Sequence, residues 1–239
     1  MFSYPSTLPQ FYINLLVLSE KLFSNLHVPA PERCTKVVDI AFIMDSSDSI
    51  GIQNYQIQKD FVNAIAESFD IQPTGSRAGV VVSGKEATLN IKFGDYLHAE
   101  DFQEAVDRLP YTAGNASINK ALKVALTQLL VVQGGARPGV AKILVLITSD
   151  TQNQTVDNGL VDAVARKLQQ LGVAVFLMGV GEKVDVKLLR PLITSDENVF
   201  LEKSFEILMM KTRQVAKMAC DRAGLFVNCS LEPIGRDCK

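Results

Sequence analysis

The residues best equipped for chemistry stand together at positions 45–51, which read Asp-Ser-Ser-Asp-Ser-Ile-Gly. Asp45, Ser47 and Ser49 form a D-x-S-x-S pattern. One carboxylate and two hydroxyls in a single turn offer three hard oxygens to a hard divalent cation, and Mg2+ favours such oxygens, completed by water and by a carboxylate from elsewhere. Ser and Asp are also the preferred residues at a helix N-cap, so a plain helix start is the competing reading. Other chemistry is thin. The only two histidines, His27 and His98, lie far apart, and Cys34, Cys220, Cys229 and Cys238 show no C-x-x-C spacing, which argues against zinc. No G-x-S-x-G elbow occurs. The run Gly79 to Lys85 begins like a phosphate loop, but Glu86 stands where that motif needs Ser or Thr, and its middle reads as a strand. Gly179-Val-Gly181 lacks the third glycine of a dinucleotide fingerprint.

The pattern around the D-x-S-x-S turn indicates what positions it. Residues 37–44 form an apolar run interrupted by one acid, Asp39, as expected of a strand covered on both faces. From Tyr55 to Phe69 the apolar residues recur at helical spacing. Residues 77–83 and 87–93 read as a hairpin turning at Gly84-Lys85-Glu86. Further strands are expected at 142–148, 173–180 and 199–201. Helices are expected at 99–109, 118–130, 156–171, 184–193 and 205–220, with the Met209-Met210 pair in the core. Strands alternating with helices predict an α/β fold. It is a doubly wound, mostly parallel central sheet with one antiparallel edge strand and helices on both faces. In such sheets ligands sit beyond the carboxyl ends of the strands, just after Met44, Thr148 and Val180.

Composition narrows the function classes. In 239 residues, 24 Lys+Arg face 26 Asp+Glu, so there is no basic excess of the kind that marks a nucleic-acid surface. The apolar share, 47%, is that of a globular core. The four cysteines avoid the body of the chain between positions 34 and 220, which reads as disulfides rather than catalysis. Three N-x-[ST] sequons, at Asn115, Asn153 and Asn228, point with the cysteines to an extracellular, secreted glycoprotein. Phe11 to Leu18 is an apolar run too short to span a bilayer, with no basic residue before it and no clear cleavage site after it. A degenerate signal, a truncated gene model and the end of a preceding region all stay open. Val28-Pro-Ala-Pro-Glu32 reads as a stiff linker. The expected organisation is an N-terminal segment (1–33), the main domain (34–220) and a cysteine-containing tail (221–239).

Asp39 to Gly51 followed by Lys59-Asp-Phe-Val62 resembles the von Willebrand factor type A domain. Arg77-Ala-Gly-Val, Asn119-Lys-Ala-Leu122, Lys142 to Thr148, Gly172-Val-Ala-Val-Phe176 and Gly179-Val-Gly181 continue the match in order over about residues 36 to 218, closest to the matrilin and collagen VI type of the extracellular matrix branch. The resemblance implies a non-enzymatic adhesion module that binds matrix proteins such as collagens, within a larger or oligomeric matrix assembly, often through a metal-ion-dependent adhesion site. A structural spacer with a vestigial metal edge, or a metal-dependent enzyme using Asp45 and Asp150, are the alternatives. Two positions depart from the family's metal site. The threonine ligand falls on Ala116, which has no oxygen to give. The second acid falls on Ser149, with Asp150 able to reach in only if the loop shifts by one residue. A site built on Asp45, Ser47 and Ser49 alone has lower charge, and ligand charge sets divalent affinity, so Mg2+ is expected weakly or not at all. The family also implies that the domain's ends lie together opposite the metal edge, pairing Cys34 with Cys220. Cys229 then remains for Cys238 or for a following module, since four cysteines allow three connectivities.

Overall fold

The computed structural model describes residues 33–151 and 158–230. The N-terminal apolar run, the proline linker, the Asn153 sequon and Cys238 lie outside the described residues. In chain order the elements are β1 (Val38–Asp45), α1 (Gly51–Glu67), β2 (Arg77–Ser83), β3 (Ala87–Ile91), α2 (Ala99–Asp107) and α3 (Ile118–Val124). They continue with β4 (Ala141–Asp150), α4 (Asn158–Gln170), β5 (Val173–Lys183), α5 (Val186–Leu189), β6 (Val199–Glu202), α6 (Phe205–Met209) and α7 (Thr212–Ser230).

The six strands form one sheet in the order β3-β2-β1-β4-β5-β6. All neighbours are parallel except β2 and β3, which makes β3 the antiparallel edge strand. This is the doubly wound α/β architecture that the alternating pattern predicts. β1 is buried along its whole length. Its side chains alternate between two cores: Ile40, Phe42 and Met44 pack with α1, α2 and α7, while Ala41 and Ile43 pack with α3 and α4. A strand covered on both faces has room for polar side chains only near its ends. Asp39, fully buried near the start, is met by Arg137, whose Nε and Nη2 donate to Oδ1 at 2.8 and 2.7 Å and whose backbone N–H donates to Oδ2 at 2.7 Å. Asp45 stands at the other end.

Several elements differ from their expected bounds. The helix expected over 118–130 keeps α geometry to Val124 and then widens into a π turn over Ala125–Leu129, with Leu130 N–H donating to Ala125 O at 2.8 Å. The turn sets Leu129 against Gly79 of β2, where a Cβ would stand 2.6 Å from Leu129 Cδ1. Pro191 limits α5 to four residues and turns the chain into a 3-10 stretch. The helix expected over 205–220 breaks after Met209, and Met210 is 81% exposed rather than in the core. The last helix then runs through Cys220 to Ser230, so the tail expected from 221 begins inside a helix. No proline interrupts it before Pro233, and Gly224 is used for space: a Cβ there would meet Lys36 Nζ at 2.5 Å. Lys36 donates instead to Cys220 O at 3.0 Å.

That contact lies beside a disulfide. Cys34 and Cys220 are bonded, with Cα atoms 5.7 Å apart and a separation of 186 positions in sequence. Cys34 N–H also donates to Ser68 O at 2.8 Å. The bridge therefore closes nearly the whole described domain at the amino end of β1, away from Asp45. The chain-entropy account puts such a long closure at about 5 kcal/mol, less any strain. Replacing both cysteines by Ala is expected to keep the far-ultraviolet dichroism but lower the denaturant midpoint strongly. An unchanged midpoint would mean that the bridge constrains nothing.

Candidate functional site

The carboxyl edge of the sheet brings the D-x-S-x-S turn together with Ser149, and its centre is Asp45. Asp45 closes β1, where the chain must leave the sheet and start α1. The strand's last peptide is clamped by a side chain from that helix: Gln58 Oε1 accepts from Asp45 N–H at 2.7 Å, and Gln58 Nε2 donates to Asp45 O at 2.9 Å. Gln58 is fully buried on the same helical stripe as Tyr55, Phe61 and Val62. Nothing in the motif pointed to it. The available signal is a polar residue at an apolar position of a helical stripe, which a buried amide tolerates only when both ends are bonded.

Asp45 is 2% exposed. Oδ1 accepts from Ser47 N–H at 3.0 Å, and Oδ2 accepts from both the backbone N–H and the hydroxyl of Ser149 at 3.3 Å. Ser149, which the resemblance would put in the place of a second acid, thus meets Asp45 directly. The β4–β5 register slips between Thr148 and Asp150, and Asp150 is buried one residue further on, with its backbone paired opposite Lys183. Burial pushes the Asp45 carboxyl above its ordinary value, and the Ser47 and Ser149 donors offset part of that rise.

Ser47 and Ser49 lie beside it with their hydroxyl oxygens 2.7 Å apart. They do not cap α1: the residue before the helix is Ile50, with no side-chain cap. The turn is held by its neighbours. Tyr111 hydroxyl donates to Ser47 O at 2.9 Å, Ser46 N–H donates to Ser83 O at 2.7 Å, and Asp48 N–H donates to Gly114 O at 3.0 Å. Ser46 Oγ accepts from Thr112 N–H at 2.8 Å. Ala116 is buried at 6% exposure and contributes no oxygen, while Ser117 caps α3 by accepting from Lys120 N–H at 3.4 Å. The edge therefore carries one carboxylate with hydroxyls on one side. Two of those hydroxyl residues, Ser49 and Ser149, also border a cleft of about 420 Å³ that continues to Glu182, Lys183, Lys203 and Phe205.

The donor set fits a divalent cation only in part. Ser47 and Ser49 hold their hydroxyl oxygens 2.7 Å apart next to Asp45, and Ser149, where the resemblance would put a second acid, donates to the Asp45 carboxylate. Among the described residues no group of three or more His, Cys, Asp or Glu is placed to hold a metal.

The raised Asp45 carboxyl has a consequence for stability. Its folded value lies above the unfolded one, so ionisation costs the native state. The stability held by the protonated acid is present below the unfolded value, about 4, and is lost as pH rises through the folded value. Asp45→Asn removes the charge, and its amide oxygen still accepts from Ser47. In the absence of divalent cations it is expected to raise Tm at pH 7, by about 2–4 °C for each kcal/mol recovered, and to lose that advantage below pH 4. Thermal melts at both pH values check this. A lower Tm at pH 7 would show that the Ser149 donors need a carboxylate more than burial opposes it.

The fold and edge have counterparts among known proteins. Matrilin-1 of Gallus gallus is 29% identical over 151 residues, 63% of this chain and 30% of that protein. The von Willebrand factor A domain-containing protein 2 of Xenopus laevis is 28% identical over 232 residues, 96% of this chain and 28% of that protein. The chain thus spans less than a third of the length of these relatives. The structure of proximal thread matrix protein 1 from the mussel byssus, with a zinc-occupied MIDAS motif, superposes with a TM-score of 0.70 at 28% identity. It covers 79% of this chain and 47% of that one. The family model of the von Willebrand factor type A domain matches residues 39–213, and with most of its length inside that match the chain belongs to the von Willebrand factor type A domain family.

Proposed function

We propose that this chain is a non-enzymatic, extracellular adhesion module that binds matrix proteins, collagens among them, at the carboxyl edge of its sheet, and that its metal-ion-dependent adhesion site is degenerate. The module runs from Cys34 through the helix that carries Cys220. The observation that carries the reading is the contact of Ser149 with Asp45: where the family's site has a second acid, this chain has N–H and O–H donors already seated on the remaining carboxylate. Any cation there would be held by Asp45, Ser47 and Ser49, would compete with those donors, and would supply a charged anchor for an acidic group of a partner. The adhesive reading is further supported by similarity to Matrilin-1 and to a thread matrix protein. An extracellular setting is supported by the disulfide, which persists in oxidising compartments. The absence of a seated base or nucleophile beside the edge, carboxylates apart, favours binding over catalysis among the described residues.

Solid-phase binding to immobilised collagens, in Mg2+ and in EDTA, tests the reading. Binding is expected to persist in EDTA with less than about a tenfold loss, or about 1.4 kcal/mol. Calorimetry is expected to show little heat on titrating Mg2+ into the natural chain, and a clear Mg2+ isotherm for the double variant Ser149→Asp with Ala116→Thr. Abolition of binding by EDTA would overturn the degenerate site. Failure to bind any matrix component would leave the domain as a spacer.

A further inference from the structure

The loop from Tyr111 to Ser117 brings the sequon Asn115-Ala116-Ser117 to the rim of the adhesion edge. Asn115 is exposed and outside any helix or strand, whereas Ala116 beneath it is buried. The loop is pinned on both sides. Gly114 O accepts from Asp48 N–H at 3.0 Å, which ties Asn115's neighbour to the D-x-S-x-S turn, and Ser117 N–H donates to Ser83 Oγ at 3.3 Å, which ties the other end to β2. An exposed Asn in an Asn-X-Ser tripeptide on a surface loop is what N-glycosylation requires, provided the chain passes through the secretory route. The Cys34–Cys220 bridge is an independent sign of that route. Of the other two sequons, Asn228 lies on the helical backbone of α7 and Asn153 lies outside the described residues.

We propose that Asn115 carries an N-linked glycan, and that this glycan screens the Asp48 side of the D-x-S-x-S turn from large partners along the β1–β2 flank, while the cleft bordered by Ser49 and Ser149 on the β4–β6 flank stays open. In the attachment, Asn115 Nδ2 forms a bond to the anomeric carbon of a lipid-diphosphate-linked oligosaccharide. The carbon–oxygen bond to the diphosphate breaks, the diphosphate leaves with the electron pair, and one Nδ2 proton is released. No oxidation state changes. The glycan stands over Tyr111–Ser117 and Ser83, beside Asp48. Lys183 and Lys203, on the far side of Ser149, face the cleft, so docking shifts to that flank. Attachment is independent of the adhesive reading. The significance of the screening rests on it.

The test uses the full chain secreted from a eukaryotic host. Peptide mapping before and after peptide-N-glycosidase is expected to find Asn115 occupied and converted to Asp by the enzyme. An unmodified Asn115 overturns the proposal. Screening is read without a partner, in an Asp48→Cys variant, with and without Asn115→Gln. A polymer-linked maleimide is expected to label the thiol at position 48 several-fold more slowly when the glycan is present, with N-ethylmaleimide reacting equally in both. Equal polymer rates overturn the screening. If immobilised collagen binds neither form, the adhesive reading falls, while the mapping and the thiol rates still decide this one.

Discussion

Burial of the central strand on both faces leaves two carboxylates, Asp39 and Asp45, near its opposite ends, and the two are treated differently. Asp39 is matched by a cation: Arg137 reaches it with two guanidinium nitrogens and its own backbone N–H, and also donates to Gly75 O at 2.8 Å. Breaking such a buried pair on one side typically costs about 3–5 kcal/mol, because the stranded charge remains. Asp45 receives only neutral donors, from Ser47 and Ser149. The amino end of the sheet is therefore electrostatically closed, and the carboxyl end holds the one buried carboxylate of this strand without a countercharge. That polarity gives the domain a locked end and an end that carries an uncompensated carboxylate.

The geometry of the carboxyl end is supplied by residues packed beneath it. Gln58 fixes the peptide of Asp45 from below. Tyr55 and Tyr111 pack with ring centroids 5.6 Å apart, and Tyr111 carries that packing to Ser47 through its hydroxyl. Lys59 sits 5.2 Å from the Tyr55 ring centroid and donates to Asp107 O, so α1 and the end of α2 are joined under the same turn. A turn held from three directions keeps its hydroxyls oriented before any ligand arrives, and pre-organisation of this kind lowers the entropy lost on binding.

The locked end has a mechanical meaning as well. The disulfide, the Lys36 contact with Cys220 O and the backbone bond from Cys34 to Ser68 all gather where the domain's chain enters and where α7 passes. In a tethered matrix module, tension applied at the two sides of the domain would meet the covalent bridge before it reached the sheet. The carboxyl edge, at the far end of the strands, would remain outside the loaded path.

How much of this could be read from residues alone divides along a physical line. The alternation of buried runs and helical stripes, a property of local periodicity, determined the sheet, its antiparallel edge and the position of Asp45 at a strand's carboxyl end. The order of the D-x-S-x-S turn, Ala116 and Ser149 along the chain is legible as well, and it is what the reading of an incomplete metal site rests on. Local pattern did not reach the π turn at Leu129, set by contact with Gly79 of another strand, or the continuation of α7 past Cys220, where Lys36 packs against Gly224. Nor did it reach Gln58, whose amide matters only because α1 folds back onto the peptide it leaves. Whether Ser149 stands idle or donates to Asp45 depends on the register of β4 against its neighbours. Register arises from packing between segments about a hundred residues apart, and that distance in sequence is why only the tertiary structure decided it.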